Sequence, residues 1–188
     1  MPRLDQPRVP PMSDEEFDDE TKEIVARAGI GDEPYNIFRT LAHHPKLLKR
    51  WGVFGGHVLS KSTLPVRPRE LAILRVGWLC QAEYEWAQHV RIARQAGFTD
   101  DDIARIARGP DADGWTDEER AVLRATDELH EDAFVTDGTW AELTQTWSTE
   151  QLIDLVFTVG QYHLVSMALN TFGVQLDDGL EGFAETVS

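Results

Sequence analysis

Along most of the chain, apolar residues recur three and four positions apart, and no stretch alternates apolar and polar at every second residue, so the predicted elements are helices. From Leu71 to Cys80 every residue except Arg75 is apolar or glycine. Apolar groups then lie all round that helix, which predicts that it is mostly buried. A second helix follows after a joint at Gln81-Ala82. At about 100° per residue, Trp86, Val90, Ile92, Ala93, Ala96 and Gly97 share one arc, while Gln88, Arg91, Arg94 and Gln95 share the other. Glu85 and His89 fall inside the apolar arc. Being four apart, they stack on one helix face.

The flanking segments extend the helical pattern. Residues 1–12 carry four prolines and little periodicity, which predicts an extended arm available to a neighbouring subunit. Ser13 and Glu16 have capping-box spacing and predict an acidic helix ending near Gly29. Residues 36–61 predict a short helix, a break before Pro45 and a longer helix, with Phe38, Leu41, Leu47, Leu48, Trp51, Phe54 and Val58 on the core side. Thr99 caps a short acidic helix, and Gly109 to Gly114 form a loop. Thr116 with Glu119 opens a helix through Leu123, Thr126, Leu129 and Phe134, where His130 suits the cation preference of a helix C-terminus. A further helix follows Asp137. After Thr149 comes a long apolar helix interrupted by Asp154, Gly160, Gln161, His163 and Asn170, which argues for a buried bundle helix and against a membrane span.

Composition narrows the class. At 188 residues one domain is the natural reading, from residue 13 to 188 behind the arm. A net charge of -15 without a Lys/Arg cluster argues against nucleic acid and against an anionic membrane surface. The opening residues lack a signal-peptide core, and the expected location is cytoplasmic. The single cysteine, Cys80, makes neither an internal disulfide nor a dithiol pair, and inside an apolar helix it is expected to be poorly reactive. Glycine-rich phosphate loops and nucleophile elbows are absent from the sequence.

The candidate chemistry centres on the two helices around Gln81-Ala82. A carboxylate facing a core must be paired, protonated or solvated in a cavity, and His89 one turn from Glu85 can be the partner. The pair reads either as a satisfied structural contact or as a proton-transfer pair. Glu70 opens the buried run behind Pro68. It reads either as a first-turn acid, with Arg69 or Arg75 as partner, or as a third ionisable member of the site. His57 lies on or beside the apolar stripe of its helix, as a hydrogen-bonded core residue or a substrate contact. Tyr162 and His163 are placed nearest a pocket, or satisfy each other in the core. The histidines show no zinc spacing. Glu85-x-x-x-His89 differs from the Glu-x-x-His pairs of di-iron bundles, so no metal ligand is assigned.

The run RELAILRVGWLCQAEYEWAQHVRIARQAGFTDDDI resembles the carboxymuconolactone decarboxylase and alkylhydroperoxidase D superfamily, over roughly residues 35–175. The peroxidase branch of that superfamily carries a glutamate, a C-x-x-C pair and a histidine four residues after the second cysteine. Glu70 matches the glutamate and His89 the histidine, while Ala82 and Glu85 stand at the cysteine positions. The E-Y-E-W-x-x-H form is similar to the cysteine-free, decarboxylase-like branch. The resemblance implies an all-α helical bundle of the alkylhydroperoxidase D-like type that assembles as a homo-oligomer, a trimer or hexamer, with the 68–97 stretch at or near the interface. It also implies that the helix bearing His57 helps to wall the pocket.

Three functions follow as expectations. The first is a cofactor-independent lyase or isomerase in which Glu70, Glu85 and His89 are catalytic, moving protons on a small organic acid or lactone by decarboxylation, isomerisation or hydration. His57, Trp86, Tyr162 and His163 would then bind the small-molecule substrate, and a ring-bearing acid would suit them. The second is a peroxidase-like redox protein. The missing C-x-x-C opposes it, because peroxide reduction needs an attacking thiolate and a resolving thiol. The third is a non-catalytic helical oligomer that binds a metabolite.

Overall fold

A computed structural model describes residues 4–28 and 34–187. Its helices are α1 Asp19–Ala28, α2 Asn36–Leu41, α3 Pro45–Ser60, α4 Val66–Leu79, α5 Glu83–Gln95, α6 Asp100–Arg108, α7 Asp117–Asp132, α8 Asp137–Leu143, α9 Thr149–Phe172 and α10 Phe183–Thr186. The described residues contain no strand, and the all-helical expectation holds.

The apolar run forms the centre. Every residue of α4 from Pro68 to Gly77 is buried, and this helix packs against α5, α7 and α9. Leu71, Ile73, Leu74 and Val76 share one core with Trp86 and Val90 of α5, Leu123 of α7 and Leu155 and Val159 of α9. A fully buried side chain of this size contributes about 1.5–3 kcal/mol, so α4 alone supplies a large part of the drive to fold. Arg75, the exception in the run, is buried as well. Its guanidinium donates to both carboxylate oxygens of Asp127 at 2.6 and 2.9 Å and to the carbonyls of Ile106 and Ala107, both at 3.0 Å. That set of acceptors is what lets a charge sit in the core.

The joint between α4 and α5 lies where the pattern predicts it. Gln81 takes the left-handed conformation (φ 51°), and its side-chain amide donates to the Trp78 carbonyl at 2.7 Å. The chain thereby reverses in three residues, laying α5 beside α4. Asp177 then ties α5 to α2: its carboxylate accepts from the Tyr84 hydroxyl and the Gln88 amide, both at 2.6 Å, and from the Asn36 backbone N–H at 2.8 Å. Burial, and then the Asp177 charge, push the Tyr84 hydroxyl far above its usual range. Gln88, assigned by periodicity to the polar arc, is therefore buried.

Several local expectations are corrected. The Ser13–Glu16 capping box forms, yet it closes only a single 3₁₀ turn, Asp14–Glu16. Phe17 turns into the core beside Ile24 and Val25, and Asp18 restarts the helix by accepting from the Thr21 N–H at 2.7 Å. The expected stop at Gly29 lies outside the described residues, as do residues 1–3 of the arm. The remainder of the arm lies on its own chain. Arg8 N–H donates to the Phe172 carbonyl at 2.8 Å, and the Gln175 amide donates to the Leu4 carbonyl at 3.1 Å. Helix α7 stops at Asp132, before Phe134, because Ala133 takes a left-handed conformation (φ 55°). Leu47 and Phe54 of α3 face outward, leaving Leu48 and Val58 as that helix's buried residues.

Helix α9 differs most from expectation. Its length and composition would allow it to cross a membrane, but half of its most apolar window is buried inside the protein. The outward half carries Ile153, Phe157, Leu164 and Met167, each more than 50% exposed. With Gly160 they repeat at intervals of three and four, one continuous apolar stripe along the helix. Phe54 of α3 extends it by an edge contact with Phe157, ring centroids 6.1 Å apart.

Candidate functional site

The α4–α5 hairpin brings Glu70, Glu85 and His89 together. His89 Nδ1 lies 2.6 Å from Glu70 Oε2, and its Nε2 lies 3.0 Å from Glu85 Oε1. The Glu85 contact is the one-turn pairing that their spacing dictates. The Glu70 contact crosses the hairpin, and it shows that His89, with a weaker contact from Arg69 at 3.3 Å, is the partner of this carboxylate. Arg75, the other partner considered, is held by Asp127. Glu70 is 0% exposed, and Glu85 and His89 are each 4% exposed.

A single imidazole thus bridges two buried carboxylates. Burial is the largest influence on His89 and by itself would lower its pKa. The charge of Glu70 and the hydrogen bonds to Glu70 and Glu85 outweigh it, and His89 is pushed up to about 10. At neutral pH it is an imidazolium with an N–H aimed at each carboxylate. With Arg69 alongside, two basic and two acidic side chains contact one another within the buried interior. Because Glu70 and Glu85 occupy opposite nitrogens of the ring, one metal ion could not bind all three side chains. The Tyr162 ring meets the imidazole edge to face at 4.9 Å between centroids and closes the site from α9. Burial, followed by the charges of Glu85 and Glu70, keeps its hydroxyl protonated.

The other expected substrate contacts lie elsewhere. His57 is exposed on α3 and faces Asp154 at 3.5 Å, about two turns along α9 from Tyr162. Trp86 is fully buried among Trp78 and Phe183, and its indole N–H donates to Thr186 Oγ1 at 2.8 Å, so neither its ring face nor its donor is open to a ligand. His163 is next to Tyr162 in sequence and therefore points to a different face of α9. It pairs with His130, Nε2 to Nδ1 at 2.8 Å, and both lie beside Cys80. Cys80 is the partly exposed C-cap of α4 rather than a thiol sealed in an apolar helix. This cluster is invisible to sequence spacing, because its members come from three helices. Two cavities lie away from the carboxylates, one beside Tyr84 and Asn170 and one beside Arg91 and Arg94.

The carboxymuconolactone decarboxylase family pattern matches residues 45–128, the span from α3 into α7 that contains Glu70, Glu85 and His89. No curated protein matches the chain in sequence. Among solved structures, the alkylhydroperoxidase AhpD core of an uncharacterised peroxidase-related protein from Ralstonia eutropha JMP134 superposes with a TM-score of 0.79 at 19% identity, covering 92% of this chain and 93% of that one. A putative antioxidant defence protein AhpD from Agrobacterium tumefaciens gives 0.69 at 20% identity, with 73% and 94% covered. The debrominase Bmp8, as its C82A form with 2,3,4-tribromopyrrole, gives 0.72 at 14% identity, with 90% and 91% covered. At these identities the structures speak for the fold alone. The chain thus carries a pattern of the carboxymuconolactone decarboxylase family over residues 45–128 and shares the all-helical fold of these alkylhydroperoxidase D-like structures.

Proposed function

We propose that this chain is an enzyme that moves protons on a small organic acid or lactone by means of its own side chains, without a cofactor in the step. The observation carrying the proposal is the unbroken hydrogen-bonded line Glu70–His89–Glu85 inside a low-dielectric core. Glu85 is the group that exchanges a proton with substrate. His89 fixes its charge and can hand it a proton, and Glu70 holds the imidazolium from the far side. Approach is to the Glu85–His89 edge, since Glu70 has no exposed surface.

The proton ledger closes for two reaction types. In an isomerisation, the Glu85 carboxylate takes a proton from carbon next to a carbonyl and returns it to a second carbon. In a decarboxylation, the carbon–carboxylate bond breaks and its electron pair stays on carbon. The His89 Nε2 proton then passes through Glu85 to that carbon, and solvent later restores His89. The developing negative charge forms beside a fixed imidazolium, which is the preorganised electrostatic arrangement that stabilises such transition states. A direct test is turnover of a panel of β-keto acids and lactones, followed by carbon dioxide release and by loss of the lactone carbonyl. Turnover of at least one member is expected, and inertness toward all would count against the reading.

Assembly is part of the proposal. The 68–97 stretch is largely consumed by the chain's own core, so it is poorly placed to be the principal interface. The stripe on α9, with Phe54, is apolar and continuous, the kind of exposed face that marks a protein–protein contact. A homo-oligomer, trimer or hexamer, joined through α9 is expected. Light scattering at micromolar concentration should give that mass, and Phe157→Glu should reduce it to the monomer. A wild-type monomer would remove the claim.

A further inference from the structure

We infer that Cys80, His130 and His163 form a binding site for a thiophilic transition-metal ion of the zinc type, separate from the Glu70–His89–Glu85 line. Three different helices deliver the three side chains: Cys80 ends α4, His130 lies in the last turn of α7 and His163 stands in the middle of α9. Cys80 Sγ lies 3.9 Å from His130 Nδ1 and 3.8 Å from His163 Nε2, and these two nitrogens are 2.8 Å apart. One thiol and two imidazole nitrogens thus converge on a point, with the donor types that zinc, cobalt and copper(I) prefer.

The distances are close to what coordination needs. With metal–sulfur bonds of about 2.3 Å and metal–nitrogen bonds of about 2.05 Å, a tetrahedral ion sets sulfur and nitrogen about 3.5 Å apart and the two nitrogens about 3.3 Å apart. Moving from the observed spacing takes shifts of roughly half an ångström, within the reach of small ring rotations. The backbone is already fixed, since α4 packs against both α7 and α9 and the Asn170 amide donates to the Cys80 carbonyl at 2.9 Å. Charge favours the same state. Two imidazole nitrogens 2.8 Å apart share one proton between them, so one of the pair presents a lone pair toward the other. A neutral imidazole is the form that binds metal. Coordination converts the thiol to thiolate, its proton leaving to solvent. Three protein ligands leave a fourth position for water or an exogenous atom, as in zinc sites that do chemistry.

Linear spacing concealed this set, because its members are separated by 50 and 33 residues. It is independent of the proton-transfer line: Glu70 and Cys80 lie ten residues apart on α4, about 15 Å of axial rise.

The test uses the full chain, stripped with a chelator and titrated with Co²⁺ and Zn²⁺. Cys80 is the sole cysteine, so a sulfur-to-cobalt charge-transfer band can come from no other residue. One equivalent of Co²⁺ is expected to bind with that band and with the intense visible absorption of a tetrahedral ion. Zn²⁺ should displace it and protect Cys80 from alkylation. Cys80→Ser should abolish the band, and Cys80→Ser, His130→Gln and His163→Gln should each weaken Zn²⁺ binding by more than the roughly 10- to 100-fold typical of losing a second-shell partner. The exposed pair His43 and His44 provides the control, and their glutamine variants should bind as the parent does. Absence of stoichiometric binding by the wild type, a cobalt spectrum lacking the thiolate band, or unprotected Cys80 at saturating Zn²⁺ would each overturn the assignment, whether or not any variant folds.

Discussion

Glu85→Gln is expected to lower kcat by about 10²- to 10⁴-fold, the usual contribution of a positioned acid–base group. Glutamine keeps the side-chain size and can still meet His89 Nε2 through its carbonyl oxygen, so the helix pairing survives while the exchangeable proton is lost. The effect should fall on kcat more than on KM, because the carboxylate acts on the transition state. His89→Asn should produce a loss of similar size, and the double variant should be little worse than either single one, since the two side chains act as a unit. The measurement is steady-state kinetics on the best member of the acid and lactone panel, with melting curves and light scattering showing that each variant folds and assembles. Rates within a few-fold of the parent would make the pair structural.

The second large effect is on stability. His89 rises from an ordinary pKa of 6.5 to about 10 in the folded chain. Below pH 6.5 both folded and unfolded chains hold this proton, and the stabilisation from the Glu70 and Glu85 partners is fully present. Between about 6.5 and 10 the folded state binds more protons than the unfolded state, so stability falls as pH rises, and above about 10 the contribution is gone. Burial works against the shift, and the groups that set this window are Glu70 of α4 and Glu85 of α5. At 1.36 kcal/mol per pKa unit, the loss is at most about 5 kcal/mol. Urea unfolding at intervals from pH 6 to pH 10 reads it, with His89→Gln as reference. The variant should be less stable at pH 6 and show a much flatter decline. Equal slopes in the two proteins would mean that the imidazole is neutral throughout.

What the sequence made legible follows from what helical periodicity records. The α4–α5 hairpin was readable because an all-apolar run followed by an amphipathic one has few other solutions, and the Glu85–His89 contact is a direct result of i,i+4 spacing. The Glu70–His89 contact spans the turn, and only the family resemblance pointed to it. Periodicity could not say which side of α9 faces the core, because apolar residues lie all round it, so the exposed stripe through Phe157 and Met167 read as core. Tyr162 and His163 read as neighbours of one pocket. Adjacent residues on a helix diverge, and one packs against His89 while the other meets Cys80 and His130. Trp86 looked like a ring-binding surface, but an indole donor buried against Thr186 is committed to the fold. Contacts between distant helices are the common feature of what escaped, since no local pattern encodes them.

His89 is a buried cation clamped between Glu70 and Glu85. Nitrogen NMR of ¹⁵N-histidine-labelled protein, titrated from pH 6 to pH 11, tests it most directly. Both His89 nitrogens are expected to stay protonated through neutral pH, with a midpoint near 10 that falls in Glu70→Gln. A midpoint near 6.5 in the wild type, or one unchanged by Glu70→Gln, would contradict it.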